Sequence, residues 1–377
     1  NVEARLLLGQ VYLETGEGAA AEKELLRARE LGVSAESTAV SLGRALLLQG
    51  QFRRVLDELV PLPDMSSRER AELLQVRGDA EFGLGDADVA CELYRESTEL
   101  DSGYIAAYWG LAKCAYREGH ADIARSMIDT ALKIDGSNAA SWVLLGEMER
   151  ADGNLEAAVE AYTSALQHDP ANVDALFNRA SLFVLTGKRD EASSDIMKLK
   201  QLPGGVSASQ FVEAWQHYLA GRTDQALDLV QQVVAARPSY LPAKLLLALT
   251  QYDKKAYEQA IQALTEYLQA VPGSLDAKKL LASAYIQTNQ PERALGVLRP
   301  LVNSGQADAQ VLTLAGKAYL RAEDPSSAEQ AFEAATGLKL MDATGLKDEL
   351  PPITTFLNRL LALPIALQGI LFAAFEQ

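Results

Sequence analysis

Apolar residues recur along this chain with the period of a helix, most clearly between Ser141 and Pro170. Trp142, Leu145 and Gly146 fall on one face of a first helix, and Gly153-Asn154 interrupts it. Ala158, Tyr162 and Ala165 then form a second stripe at spacings of four and three. Asp169-Pro170 stops that second helix, because proline has no amide hydrogen and its ring clashes with the preceding turn. The stretch predicts two antiparallel helices joined by a tight turn.

The pattern repeats. The turn position of Gly153 recurs at Gly16, Gly50, Gly85, Gly119, Gly187, Gly221, Lys255, Asn289 and Glu323, always 34 residues apart except for one interval of 35 between Gly50 and Gly85. Five residues further on, nine of the ten copies carry alanine and the tenth Val55. The position of Gly146 holds glycine or alanine at Gly9, Gly43, Gly78, Ala112, Ala180, Ala214, Ala248, Ala282 and Gly316. Small residues let two antiparallel helices approach closely, and a turn glycine takes positive φ without steric cost. The columns predict ten helix-turn-helix units, each hiding its apolar stripe against the next, so that the core is a ribbon and not a ball.

The order Trp, Leu-Gly, Gly, Ala, Tyr, Ala, Pro within one such unit resembles the tetratricopeptide repeat, over about 337 residues of the chain. That resemblance implies an all-α, right-handed superhelical solenoid. Taken in order, the second unit breaks early at Pro61-Leu62-Pro63, and a fresh helix starts at Ser66 or Ser67 as N-cap. Pro203-Gly204-Gly205 is the loosest joint, which divides the array into units one to six (1–203) and units seven to ten (206–337), the latter resuming with Ser209. Pro238, Pro272 and Pro300 are expected to close second helices. From residue 338 the columns stop. The apolar run from Leu360 to Phe375 is 16 residues long and contains Pro364 and Gln368, too short to span a bilayer. A capping helix or a segment foreign to the array is expected over 338–377, and FLNRLLALPIALQ resembles a short stretch of strawberry-notch-type helicases, from which no activity carries over.

Bulk composition narrows the function classes. Net charge is −16, from 35 basic and 51 acidic residues, which argues against nucleic acid and against electrostatic docking on anionic lipid. Cys91 and Cys114 are too few for a disulfide scaffold. They fall on facing helices and make either a disulfide or, the expectation here, two buried free thiols. Asn1 opens inside a first helix, so the chain reads as a fragment or a processed form. His120, His168 and His217 lack a second ligand at metal spacing, and no phosphate-cradling glycine loop is present. No catalytic residue, cofactor or metal is expected, and the chain is read as non-enzymatic.

Binding is therefore sought on the first helices, which line the inner, concave face of tandem arrays of this kind. Their fifth, ninth and twelfth positions lie on one stripe outside the core columns. That stripe places Trp109, Lys113 and Tyr116 in the fourth unit, Val143, Glu147 and Arg150 in the fifth, and Phe177, Ser181 and Val184 in the sixth. It continues with Phe211, Trp215 and Tyr218 in the seventh and Leu245, Leu249 and Tyr252 in the eighth. These aromatic rings either anchor a partner or fill a tight superhelix. Peptide-clamping relatives hold a terminal carboxylate with Lys and Asn on adjacent first helices. Asn178 occupies a suitable position, but Lys113, Lys279 and Lys317 do not complete the pattern, and such a clamp is not expected.

A closer resemblance goes beyond the generic repeat. LGQVYLETGEGAAAEKELLRARELG from Leu8 to Gly32 is similar to the opening of the TPR-repeat proteins of the PEP-CTERM/exosortase system, the PrsT-like family. So are YLPAKLLLA at Tyr240, YEQAIQALTEYL at Tyr257, the run from Ala277 to Val302, and DAQVLTLAGKAYL at Asp308. The resemblance implies a lipoprotein of the bacterial periplasm that scaffolds protein or peptide partners of an exopolysaccharide and protein-sorting machine. A polysaccharide itself, stacked on Trp109, Trp215, Tyr218 and Tyr252, is the alternative ligand.

Overall fold

The computed structural model describes residues 1–305 and 307–341. All elements of the described residues are α-helices, twenty of them in ten pairs. The first four pairs are α1 (Val2–Glu14) with α2 (Gly18–Glu30), α3 (Ala35–Leu48) with α4 (Phe52–Glu58), α5 (Ser67–Leu84) with α6 (Ala87–Leu100), and α7 (Ile105–Arg117) with α8 (Ala121–Ile134). Next come α9 (Ala139–Ala151) with α10 (Leu155–His168), α11 (Val173–Leu185) with α12 (Arg189–Gln201), and α13 (Gly205–Leu219) with α14 (Thr223–Ala236). The last are α15 (Leu241–Asp253) with α16 (Tyr257–Ala270), α17 (Leu275–Gln287) with α18 (Pro291–Asn303), and α19 (Ala309–Arg321) with α20 (Pro325–Met341).

The turn column works as its spacing requires. Gly153 has φ +84°, and the non-glycine members Lys255, Asn289 and Glu323 are held at φ 61°, 55° and 60°. The small column works by close approach. A Cβ built on Gly146 would lie 2.6 Å from the ring of Tyr162, sixteen residues on, and one on Gly78 would lie 2.6 Å from the ring of Tyr94 at the same offset. At Gly9, Gly78, Gly146 and Gly316 the first helix thus carries a notch into which a large side chain of its own second helix fits.

Local signals decide the ends. Ser66 caps α5 in a capping box with Glu69. The second pair is truncated: α4 has seven residues and stops ahead of Pro61. Pro238 and Pro272 follow the ends of α14 and α16 as expected. Pro300 does not close its helix but lies inside α18, which continues to Asn303. So near a helix end the missing N–H removes a single bond, and the chain carries on with Ser304 N–H bonded to the Pro300 carbonyl at 3.1 Å. Ser209 likewise is not a helix start but lies one turn inside α13.

Contacts divide the described residues into two units, one of Asn1–Leu182 with Gln201–Gly204, the other of Phe183–Lys200 with 205–341. The joint expected at Pro203-Gly204-Gly205 holds Gly204 at φ +74°. In the first unit Leu25, Leu46, Val55, Leu73 and Val76 form one buried cluster, and Ile128, Leu144 and Met148 another. Between them, Cys91 on α6 and Cys114 on α7 form a disulfide with Cα atoms 5.9 Å apart, packed against Phe82 and Leu111. This corrects the expectation of free thiols: the helices bring the two backbones within the span that a disulfide bridges. In the second unit Leu246, Leu264, Tyr267, Leu280 and Leu298 are buried. No helix of the described residues is long and apolar enough to cross a membrane. The expectation of a capping or foreign segment over 338–377 lies outside the described residues, save for the helical backbone to Met341.

Candidate functional site

The predicted stripe is divided between the two units. Trp109, Lys113, Tyr116, Arg150, Phe177 and Asn178 belong to the first unit, on α7, α9 and α11. Phe211, Trp215, Tyr218, Leu249 and Tyr252 belong to the second, on α13 and α15.

The structure sorts these residues by exposure. Trp109, Lys113, Tyr116 and Tyr252 are half-buried. Arg150, Phe177, Asn178, Phe211, Tyr218 and Leu249 are buried, and Trp215 is 0% exposed. Sequence spacing identifies the stripe; it does not report how much of each ring stays open to solvent.

Several of these side chains brace one first helix against the next. Trp109 Nε1 donates to Ser141 Oγ at 2.9 Å, and that serine sits in the first turn of α9 beside the N-cap Asn138. Tyr218 Oη donates to the Asp253 carboxylate, linking α13 to α15. Tyr252 Oη shares a hydrogen bond of 2.6 Å with Ser283 Oγ on α17, and its ring meets Tyr257 edge-on at 5.2 Å. Phe211 and Tyr240 make a similar edge contact at 5.2 Å. Lys279 is buried in an ion pair with Asp308, so it is no part of a carboxylate clamp.

Other polar groups on the stripe are buried and lack partners. Asn178 Nδ2 and Ser181 Oγ, three residues apart on α11 and each 3% exposed, make no hydrogen bond among the described residues, and neither does Trp215 Nε1 on α13. A buried polar group without a partner is costly, and native structures hold few of them.

Glu147, at the ninth position of α9, is 8% exposed. Loss of solvation pushes its carboxyl up to about 7, opposed by the charges of Arg150 and Lys113 and reinforced by Asp174. The sequence placed Glu147 on the stripe but gave no reason to single it out, since a lone glutamate on a helix reads as a solvated face. No group of His, Cys, Asp and Glu able to hold a metal occurs among the described residues.

Stacked helix pairs with small-residue notches and left-handed turns every 34 residues define a helical-repeat protein, a class built to present long surfaces. The tetratricopeptide repeat family matches residues 110–173, 145–197 and 211–274 in one form and 251–318 in another, together just over half of the chain. The chain belongs to that family. No curated protein matches it significantly. Among solved structures it is similar to the Cut9–Hcn1 hetero-tetramer of the APC/C, with 15% identity, TM-score 0.47, and coverage of 96% of this chain and 90% of that one. It is also similar to pilF of Pseudomonas aeruginosa, with 18% identity, TM-score 0.47, and coverage of 56% and 96%. A third is a tetratricopeptide repeat protein of Parabacteroides merdae, with 18% identity, TM-score 0.44, and coverage of 69% and 99%.

Proposed function

We infer that this chain is a non-enzymatic scaffold that binds partner proteins along the stripe of its first helices. The reading rests on the buried polar atoms of α11 that have no hydrogen-bond partner among the described residues: Asn178 Nδ2 and Ser181 Oγ. An extended polypeptide brings N–H and C=O groups in regular succession, which is what such atoms lack. A glycan needs exposed ring faces with polar neighbours, and the fully covered Trp215 offers none.

The setting proposed is a bacterial envelope complex for exopolysaccharide synthesis and PEP-CTERM protein sorting, with the chain in the periplasm as part of a lipoprotein. The buried Cys91–Cys114 disulfide supports an oxidising compartment. The sequence segments at Leu8, Tyr240, Tyr257, Ala277 and Asp308 supply the particular system.

The test is capture from bacterial envelope extract on the immobilised chain, with partners identified by mass and compared with Asn178→Ala plus Ser181→Ala. A partner protein held by the parent and lost by the variant is the expected result. Retention of purified polysaccharide with no protein captured would overturn it in favour of a glycan module.

A further inference from the structure

The last helix pair is less covered than the others on one side. At the position of Phe332 the other nine repeats carry a buried residue, Tyr94 and Tyr162 among them, whereas Phe332 is half-buried. At the position of Glu329 the other nine are buried or half-buried, whereas Glu329 is exposed. The same holds for Leu320 on α19, which is 54% exposed. With Ala328, Glu333 and Thr336 these residues line a groove of about 670 Å³ along α20.

Earlier pairs show what covers this side. Cys91, at the position of Glu329, is bonded to Cys114 on the next first helix, α7. Tyr94, at the position of Phe332, lies against Gly110 of α7, where a Cβ would sit 2.5 Å from its ring. Further along, α16 packs on α17 and α18 on α19. The groove is therefore the seat that a following first helix fills elsewhere in the array. Its floor is apolar, and Glu329 and Glu333 stand on its rim, exposed and in no ion pair among the described residues.

One segment of the same chain matches that seat. In residues 353–363, ITTFLNRLLAL, Ile353, Phe356, Leu357 and Leu360 have the spacing of a helical apolar stripe. Thr354, Thr355, Asn358 and Arg359 fall on the other side, and Pro351-Pro352 and Pro364 bracket the stretch. Arg359 is the only basic residue after Lys347, and the groove offers it two carboxylates. Residues 342–352 leave ample chain to reach back, since residues 101–104 suffice between α6 and α7. We propose that residues 353–363 occupy the groove of their own chain, with the apolar stripe on Leu320 and Phe332 and Arg359 at the rim beside Glu329 and Glu333. Tethering favours this occupant over a second copy: a short linker supplies an effective concentration on the order of millimolar, whereas a net charge of −16 sets two copies against each other.

The experiment uses the full chain carrying Glu333→Cys with Arg359→Cys, under mild oxidation. Non-reducing electrophoresis and mass measurement of the linked peptides read the new bond. The control pair is Gln330→Cys with Arg359→Cys, since Gln330 is exposed on α20 but does not line the groove. The expected result is a bond within one molecule, formed at a rate independent of protein concentration and at least about tenfold faster than in the control. Adding Phe356→Glu with Leu360→Glu should remove that advantage. In a chain without the new cysteines, the same two glutamates should speed amide hydrogen exchange along α20 by at least about tenfold. Equal rates in the two cysteine pairs, a rate unmoved by the glutamates, or unchanged exchange along α20 would each overturn the proposal. A bond between two molecules would overturn it in favour of a second copy in the groove.

Discussion

Tyr218 Oη donates to the carboxylate of Asp253 at 2.5 Å, joining the first helices of two successive repeats. The tyrosine is buried and the aspartate exposed, and burial together with the adjacent carboxylate pushes the phenol up. An aromatic side chain on the expected binding stripe therefore also sets the spacing of the helices that carry it. Tyr218→Phe removes the bond but leaves Asp253 solvated. It should cost roughly 1 kcal/mol in urea denaturation, and Asp253→Asn should cost a similar amount or less. A loss several times larger would mean that the hydroxyl does more than bridge α13 and α15.

The disulfide gives a second prediction. Cys91 and Cys114 are separated by 23 residues, and the bond spans the boundary between the third and fourth pairs. Reduction, or Cys91→Ser with Cys114→Ser, should lower stability by about 3 kcal/mol. Thermal melts with and without reductant check the size. Alkylation followed by mass measurement checks that no free thiol exists before reduction.

Close helix approach predicts a steric effect at Gly146. A Cβ there would lie 2.6 Å from the Tyr162 ring, and the ring is fully buried. Gly146→Val should destabilise by about 3 kcal/mol or more, because overpacking at a helix crossing forces the backbone apart. Gly296, whose Cβ would meet nothing within 4 Å, is the control. Gly296→Ala should be neutral or mildly stabilising, since alanine is the better helix former.

The turn column predicts the opposite sign at Lys255. Its φ of 61° is a conformation that side chains with a Cβ resist. Lys255→Gly should stabilise the chain by about 1 kcal/mol in thermal or chemical denaturation. The same change at an ordinary helical position should do the reverse.

Glu147 links stability to pH. Its carboxyl is raised from the ordinary value of 4.5 to about 7 by burial. The native state therefore holds this proton more tightly than the unfolded chain. Its contribution is complete below pH 4.5 and is lost as pH rises through about 7. Facing groups are Lys113 on α7, Arg150 on α9, Asp174 on α11 and the Tyr162 hydroxyl on α10. Glu147→Gln should match the parent near pH 5 and exceed it near pH 8, by up to about 3 kcal/mol. Melting temperatures across that range would show the two curves diverging; parallel curves would refute the assignment.

Much of the architecture is legible in the residues. The turn column is read even where glycine is replaced, because Lys255, Asn289 and Glu323 stand where the spacing demands a left-handed residue, and they adopt one. The notches are legible because the position of Gly146 is small in every copy, while the side chain sixteen residues on varies from Leu25 to Tyr94, Tyr162 and Phe332. Other features are not. Cys91 and Cys114 are placed on facing helices by periodicity, but bonding depends on side-chain direction, which spacing does not encode. Pro300 misleads because a proline near a helix end removes one hydrogen bond without ending the helix. On the predicted stripe, periodicity identifies Trp215 and Tyr252 alike, yet one ring is covered and the other half open. Glu147 emerges from its surroundings alone: the residue type is ordinary, and its burial is not.

The packed helix pairs among the described residues lie one or two elements apart along the chain. Such a molecule has no centre to lose. Heat or force should open it as a zip opens, from a weak point outward, with the opened stretch costing only the interfaces it contained. Length becomes a quantity counted in whole repeats. Excising one complete 34-residue period from within a run of regular pairs leaves every remaining interface of the same kind, whereas removing half that number would set a first helix against a first helix and leave both with the wrong face inward.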